Sequence, residues 1–161
     1  MAAGATYEPI ATTTLSSAQS SVTFSSISGS YTDLVCVISG NTSTGDIIIR
    51  FNSDSSSNYS YVRIFGDGVS ASSDSAISQT SFFVTVGGFT NANSIINIQN
   101  YSNSTTNKTT LVRANSVSTG YLGLYVGLWR STSAITSVTL TANSGNLNSG
   151  STFTLYGIAA A

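Results

Sequence analysis

Histidine is absent from this sequence of 161 residues, and its absence narrows the chemistry that the chain can perform. Histidine is the usual general base near neutral pH and the commonest metal ligand in proteins. The single cysteine, Cys36, cannot complete a zinc site or form a disulfide within the chain. It lies in the apolar run LVCVIS and is predicted to be a small core residue. We therefore expect no metal site and no cofactor.

Acidic residues are equally scarce. Glu8 is the only glutamate, and the aspartates lie mostly at the expected ends of strands and in turns. Hydrolysis by paired carboxylates needs two acids that face each other across the scissile bond. The sequence also lacks a glycine-rich phosphate-binding loop with its lysine. These absences predict a protein that is not an enzyme.

Charge of either sign is rare. Charged residues make up 7% of the chain, whereas about 25% is typical of a soluble domain. The five basic residues are scattered, no two are adjacent, and the net charge is −1. Nucleic-acid binding depends on clustered Lys and Arg, so we expect no nucleic acid partner. A net charge near zero favours association, which is consistent with a role inside an assembly.

Long apolar runs are missing as well. None approaches the roughly 20 residues of a membrane helix, and MAAGATYEPI lacks the pattern of a signal peptide. We therefore expect no membrane partner. Hydrophobic residues still make up 40% of the chain and are spread over its length, so the chain is predicted to fold and not to remain disordered.

What the sequence has in abundance is alternation. Short runs of alternating apolar and polar residues are separated by clusters of Ser, Gly, Asn and Asp, which predicts short β-strands. Alternation favours antiparallel sheets that each bury one face. The expected fold is an all-β, antiparallel two-sheet β-sandwich, jelly-roll-like, with about ten strands. The ten predicted strands are 21–27, 31–39, 46–52, 59–66, 81–89, 94–101, 109–117, 120–130, 135–142 and 151–158.

The first residues differ from the rest. Segment 1–18 contains the only proline, Pro9, and few large apolar residues apart from Tyr7, Ile10 and Leu15. It is predicted to be an extended N-terminal arm on a single sandwich domain at 19–161. Two interpretations stay open for the arm: a loose terminus, or a strap onto a neighbouring subunit.

In the stretch NSDSSSN, residues 52–58, every second position, Asn52, Asp54, Ser56 and Asn58, carries a side-chain oxygen as a cation-binding loop would. A calcium loop would need six to eight oxygens, a glycine for the bend and a bidentate carboxylate to finish. Asp54 is the only acid in this stretch. We therefore predict a surface hairpin loop here, and a turn at the GDG of residues 66–68.

The strand GYLGLYVGLWR, residues 120–130, has two apolar faces. Its aliphatic row is predicted to point into the core: Leu122, Leu124, Val126 and Leu128. Its other face carries Tyr121, Tyr125 and Trp129, separated by glycines. Exposed aromatic patches mark interfaces or ligand grooves. Three interpretations remain: cover by the same chain, a subunit interface, or a surface that stacks on sugars.

Four short motifs carry a family resemblance: SGSYTDLVCVISG, IRFNSDSSSNYSY, IQNYSNSTTNK and NSGSTFTLYGI, in that order between residues 28 and 158. They resemble small structural proteins of tailed bacteriophages, including cyanophages. In that family a Y-x-D-L strand comes early, an R-F-N-x-D hairpin follows, and a G-S-x-F-x-L-Y-G-I strand closes the chain. The resemblance implies a β-sandwich that works as an oligomer, often a trimer, in a virion.

The resemblance leads to a specific functional expectation. The first hypothesis is a capsid decoration, or cement, protein made in the host cytoplasm. It would sit on the outer capsid shell and bridge major capsid protein subunits. Its predicted contacts are Tyr121, Tyr125 and Trp129 on the sheet, with Tyr7 and Ile10 in the arm. The alternative is a receptor- or glycan-binding module of a tail fibre or tail tip, with Trp129 or Tyr125 stacked on a sugar. A hydrolase of surface polysaccharide is the least favoured hypothesis.

Overall fold

The computed structural model describes residues 6–85, 92–117 and 119–159. Within them the chain forms twelve strands and no helix, which confirms the all-β prediction. The strands are β1 (Tyr7–Thr14), β2 (Ser21–Phe24), β3 (Asp33–Gly40), β4 (Thr42–Phe51), β5 (Tyr59–Gly66), β6 (Ala71–Gln79), β7 (Phe82–Phe83), β8 (Ala92–Gln99), β9 (Lys108–Ser116), β10 (Tyr121–Trp129), β11 (Val138–Leu147) and β12 (Thr152–Ile158).

The strands form two antiparallel sheets of unequal size. The larger sheet has eight strands in the order β1-β12-β3-β8-β9-β10-β5-β6, and the smaller has four in the order β2-β11-β4-β7. Alternate side chains of both sheets meet in one core, where Cys36 and Val112 of the larger sheet lie with Ile49 and Leu140 of the smaller. The predicted two-sheet sandwich is confirmed.

Two strands were not predicted, β1 and β6. Strand β6, ASSDSAISQ, is exposed along almost its whole length and lies at the edge of the larger sheet, paired with β5. Because neither of its faces is buried in the core, its sequence has no apolar alternation to reveal it. The predicted strand 81–89 is represented by β7 alone, and positions 86–89 lie outside the described residues.

The predicted N-terminal arm is part of the sandwich over its described length. Strand β1 pairs with β12 of the same chain, with Tyr7 opposite Ile158 and Thr14 opposite Thr152. Leu15 is buried, and its backbone N–H donates to Ser151 O at 2.9 Å. Residues 6–15 therefore continue the larger sheet instead of leaving the domain; positions 1–5 lie outside the described residues.

The loop at residues 52–58 is a surface turn, but the hairpin prediction is wrong. Strand β4 belongs to the smaller sheet and β5 to the larger, so the loop crosses from one sheet to the other. The turn predicted at 66–68 is confirmed: it joins β5 to β6, and Asp67 Oδ1 accepts the N–H groups of Val69 and Ser70 at 2.9 and 2.7 Å.

Candidate interaction surface

The aromatic face of β10 points inward. Tyr125 is fully buried and Trp129 is 2% exposed, whereas Leu122 and Val126 are 66% and 54% exposed. The prediction that the aliphatic row forms the core is therefore wrong, because the two faces of β10 are exchanged. Of the three interpretations of the aromatic face, the structure supports cover by the same chain at Tyr125 and Trp129.

Trp129 is held by rings and by one carboxylate. Its ring lies 5.6 Å from that of Phe51 and stacks with that of Tyr59 at 6.3 Å, measured between centroids. Its indole Nε1–H donates to Asp54 Oδ2 at 2.7 Å. The loop whose spaced oxygens suggested a cation site thus uses its one acid to satisfy a buried tryptophan.

Asp54 also organises its own loop. It accepts the backbone N–H of Ser56 at 2.8 Å and the side-chain amide of Asn58 at 3.0 Å. Burial alone would raise the pKa of this carboxyl, but the hydrogen bonds from Asn58, Trp129 and Ser56 outweigh it and lower the pKa to about 2.

Tyr125 is anchored in a similar way. Its hydroxyl donates to Thr85 O at 2.9 Å, and burial raises the pKa of its phenol well above the ordinary value. Arg63, on neighbouring β5, lies over the rings of Phe65 and Phe83 at 5.0 and 5.1 Å and pairs with Asp74 at 2.6 Å. This cluster of rings is occupied by a cation of the chain itself.

Glycines make the inward aromatic row possible. A Cβ at Gly127 would lie 2.7 Å from the ring of Phe82 and 2.6 Å from Thr110 Oγ1. A Cβ at Gly123 would lie 3.2 Å from the ring of Tyr125. The alternation of large and absent side chains therefore lets bulky rings from both sheets interdigitate.

The opposite side of the larger sheet is an unusual surface, which we call the outer face. Its side chains follow the register across the strands: Val62 of β5 lies opposite Val126 of β10, and Val126 lies opposite Leu111 of β9. A second row, beside the first, runs from Ile64 of β5 through Leu124 of β10 to Arg113 of β9. The exposed aliphatic side chains of the outer face are Val62, Ile64, Leu111, Leu122, Leu124 and Val126.

Arg113 lies in the middle of the outer face. In the register it is flanked by Leu124 of β10 and Ile95 of β8. Three adjoining depressions cross this face, the first with a volume of about 700 Å³, and Arg113 lines all three. It is exposed and is placed in no ion pair with another described residue. An unpaired guanidinium ringed by aliphatic side chains is typical of an interface hot spot.

The predicted contact residues do not form one surface. Tyr125 and Trp129 are in the core, and Tyr121 is half-buried beside Phe65, with a centroid distance of 6.2 Å. Tyr7, 56% exposed, lies at the sheet edge against Tyr156, and Ile10 packs partly against the core. A sugar stacked on Trp129 or Tyr125 is thus ruled out by their burial, and that mechanism for the glycan alternative is wrong.

The contact surface predicted from the sequence does not include Leu111, Arg113, Val62 and Ile64, which lie on the outer face. The signal was present, because YVRIF places Val62 and Ile64 opposite the aromatic residues of the same strand. This pattern predicts the outer face only if the aromatic side chains of the strand point into the core.

The described residues hold no cluster of three or more His, Cys, Asp and Glu side chains that could bind a metal ion. Lys108 is buried, and its Nζ donates to Thr106 O and Thr132 O at 2.7 and 3.2 Å. Burial lowers the pKa of its ammonium group. Over the described ranges, no helix has the length and hydropathy needed to span a bilayer.

No family model matches the chain, and no curated protein sequence matches it. Among solved structures, an exo-inulinase from Aspergillus awamori superposes with a TM-score of 0.52 at 16% identity. The match covers 94% of this chain and only 29% of that enzyme. An alginate lyase, Aly36B, matches with a TM-score of 0.33 at 8% identity over 93% of this chain and 80% of that one.

At 16% identity the likeness to the exo-inulinase shows the fold alone, and the likeness to the lyase carries no argument. The resemblance to phage structural proteins stays a prediction.

Proposed function

We propose that this chain is a structural protein of a bacteriophage virion that acts by contact and not by catalysis. The specific role proposed is capsid decoration, in which the protein binds the outer shell and stabilises contacts between major capsid subunits. The motifs that resemble phage structural proteins motivate the virion setting. The outer face, with its aliphatic side chains around Arg113, is the observation that supports a contact function.

The physical argument rests on exposed apolar area. Six aliphatic side chains of the outer face are between 41% and 66% exposed, and contiguous apolar patches of this kind mark association surfaces. Covering them removes apolar surface from water, worth roughly 25 cal/mol per Å² before the costs of association. On a symmetric shell, many modest contacts of this kind add up to firm retention.

In this proposal the contact surface is the outer face, and not the aromatic face of β10 that the sequence predicted. Tyr125 and Trp129 stabilise the domain from inside, so the contact surface is aliphatic with a central arginine. Other charged groups are occupied internally: Arg63 pairs with Asp74, and Asp54 accepts from Trp129. The surface as a whole carries little charge, which fits life in an assembly.

The test is the copy number of this chain relative to the major capsid protein in purified virions, measured by quantitative mass spectrometry. Decoration predicts copies that scale with the capsid lattice, in the hundreds for an icosahedral shell of many subunits, whereas a tail module predicts a handful. Antibody labelling in electron micrographs should cover the shell. Label confined to the tail would refute decoration, and absence from virions would refute the whole proposal.

A further inference from the structure

We propose that one depression of the outer face binds a short, uncharged oligosaccharide. We call this depression the saccharide cleft. Its volume is about 540 Å³, which lies within the usual range for small-ligand sites. Its charged and amide side chains are Asp33, Asn97, Gln99 and Arg113, and the ring of Tyr7 lies at one end. The cleft is distinct from Tyr125 and Trp129, whose burial excludes sugar stacking.

The polar groups of the saccharide cleft have hydrogen-bonding capacity to offer a ligand. The side-chain amide of Asn97 is half-buried and makes no hydrogen bond within the part of the chain that the structure describes. Asp33 Oδ1 accepts the backbone N–H of Asn100 at 2.6 Å, which holds the carboxylate in place and leaves its second oxygen to face a ligand. These groups therefore do not satisfy one another.

The signs of the charged groups favour an uncharged ligand. Asp33 accepts hydrogen bonds and Arg113 donates them, whereas the amides of Asn97 and Gln99 do both. A hydroxyl both donates and accepts, so the hydroxyls of a sugar can bond to all four side chains. A polyanion would bring negative charge to Asp33, and a polycation would bring positive charge to Arg113.

The polar groups are spread along the sheet, as an extended ligand requires. Arg113 of β9 and Asp33 of β3 are two strands and four register positions apart, about 16 Å between Cα atoms. This separation is too large for an ion pair between them, and neither belongs to the ion pair that the described residues form. Asn97 lies between them on β8. An oligosaccharide carries hydroxyls along its length and can contact all three.

Tyr7 provides an aromatic platform at the end of the cleft. It is 56% exposed, and its ring meets the edge of the Tyr156 ring at 82° with a centroid distance of 6.2 Å. The ring is thus held in place without being covered. Val35, only 5% exposed, also lines the cleft, and Ile158 extends this apolar lining. The apolar face of a sugar ring can pack here, because a tyrosine ring offers a large and rigid contact area.

The position of the cleft argues against a peptide ligand. An extended peptide that adds to a sheet bonds to the free backbone of an edge strand. The charged and amide groups of the cleft lie on β3, β8 and β9, which have hydrogen-bonded neighbours on both sides. A helical peptide needs an apolar groove, whereas charged and amide side chains line this one. A sugar needs side-chain partners only.

This inference goes beyond the proposed contact function. The saccharide cleft lies on the half of the outer face that β1, β12, β3 and β8 form, and the aliphatic contact side chains lie mainly on β10 and β5. Arg113 and Leu111 of β9 lie at the boundary between the two halves. A chain held on a shell through its aliphatic half would therefore carry a separate sugar site.

The experiment begins with a screen of the whole chain against an array of short neutral oligomers of glucose, galactose, mannose and N-acetylglucosamine. Uronic acid oligomers and chitosan oligomers are the charged comparisons. Isothermal titration calorimetry with the neutral oligomer that binds best should give a Kd of about 1 mM or tighter, since water competes for every hydrogen bond in an open cleft. The charged oligomers should bind more weakly.

Variants place the ligand in the cleft. Asn97→Ala and Asp33→Asn should each weaken binding about fivefold, because each removes or weakens a hydrogen bond; Asp33→Asn keeps an acceptor for the Asn100 N–H. Tyr7→Ala should weaken binding about tenfold, whereas Tyr7→Phe keeps the ring and should stay within about twofold of wild type. Ser75→Ala, on exposed β6 opposite Val62, is the matched control and should bind like wild type.

Circular dichroism and melting temperature establish that each variant is folded. Three results would overturn the inference: no neutral oligomer bound, tighter binding of a charged oligomer, or unchanged affinity in folded Asn97→Ala and Tyr7→Ala variants. These results are independent of virion copy number. A chain that coats shells and binds no sugar would refute the saccharide cleft and leave the proposed function standing. A sugar-binding chain that is absent from virions would do the reverse.

Discussion

At the scale of single residues, Asp54 shows how a surface carboxylate stabilises a buried ring. It accepts hydrogen bonds from the indole of Trp129, the amide of Asn58 and the backbone of Ser56. A cation is not needed to explain this acid in a serine-rich loop. The shortage of calcium ligands in this stretch of the sequence spoke against a calcium loop. Nothing in the sequence indicated that Asp54 bonds to Trp129, which lies 75 residues away.

Asp54→Ala should lower the free energy of unfolding by about 2 kcal/mol at neutral pH, because it leaves the buried Trp129 N–H without its acceptor. Urea unfolding followed by tryptophan fluorescence measures the change. Ser55→Ala, in the same loop and exposed, is the matched control and should change stability by less than about 0.5 kcal/mol. Equal effects of the two substitutions would contradict the role of Asp54.

The same carboxylate predicts an acid dependence. Its pKa is about 2 in the folded protein against an ordinary value of 3.8, so its contribution is complete above about pH 4. That contribution is lost as the pH falls from about 4 towards 2, because the unfolded state binds the proton first. The difference in unfolding free energy between wild type and Asp54→Ala should therefore shrink over this range. A difference that stays constant down to pH 2 would contradict the lowered pKa of Asp54.

At the scale of elements, β10 is the strand whose orientation decides what the surface offers. Both of its faces are apolar, so local hydrophobicity favours neither. The rings of Phe51 and Phe82 come from the smaller sheet, and the inward aromatics pack against them in the space that Gly127 leaves. The aliphatic row is then left on the outer face.

Substitutions on the two faces of β10 should lower the free energy of unfolding by different amounts. Trp129→Ala is expected to cost about 3–5 kcal/mol of unfolding free energy, because it opens a cavity in the core. Leu124→Ala is expected to cost less than about 1 kcal/mol, because Leu124 is 45% exposed. Chemical denaturation followed by circular dichroism measures both. A larger loss for Leu124 than for Trp129 would place the aliphatic row in the core after all.

At the scale of the whole molecule, Cys36 reports on the integrity of the sandwich. It lies on β3 between β12 and β8, and it is fully buried. Burial raises the pKa of its thiol to about 12, so almost no reactive thiolate forms near neutral pH. This lone thiol is accordingly a core residue, as its apolar sequence context predicted.

Labelling of Cys36 by a thiol reagent at pH 8 should be negligible in the native protein. It should rise to the rate of an unfolded peptide over the same urea range in which tryptophan fluorescence reports unfolding. The physical reason is that β3 has hydrogen-bonded neighbours on both sides, so exposure of the thiol requires the sheet to open. Rapid labelling without denaturant would show that β3 opens locally.

Alternation and composition are local properties of the chain, so they were enough to predict the strands with one buried face, their antiparallel arrangement and the shortage of catalytic groups. Tertiary structure alone decided the rest. Strand β6 has no buried face, the loop at 52–58 joins different sheets, and the first strand found its partner at the far end of the chain. For β10, whose two faces are both apolar, the inward side was settled by the rings and space that the opposite sheet provides.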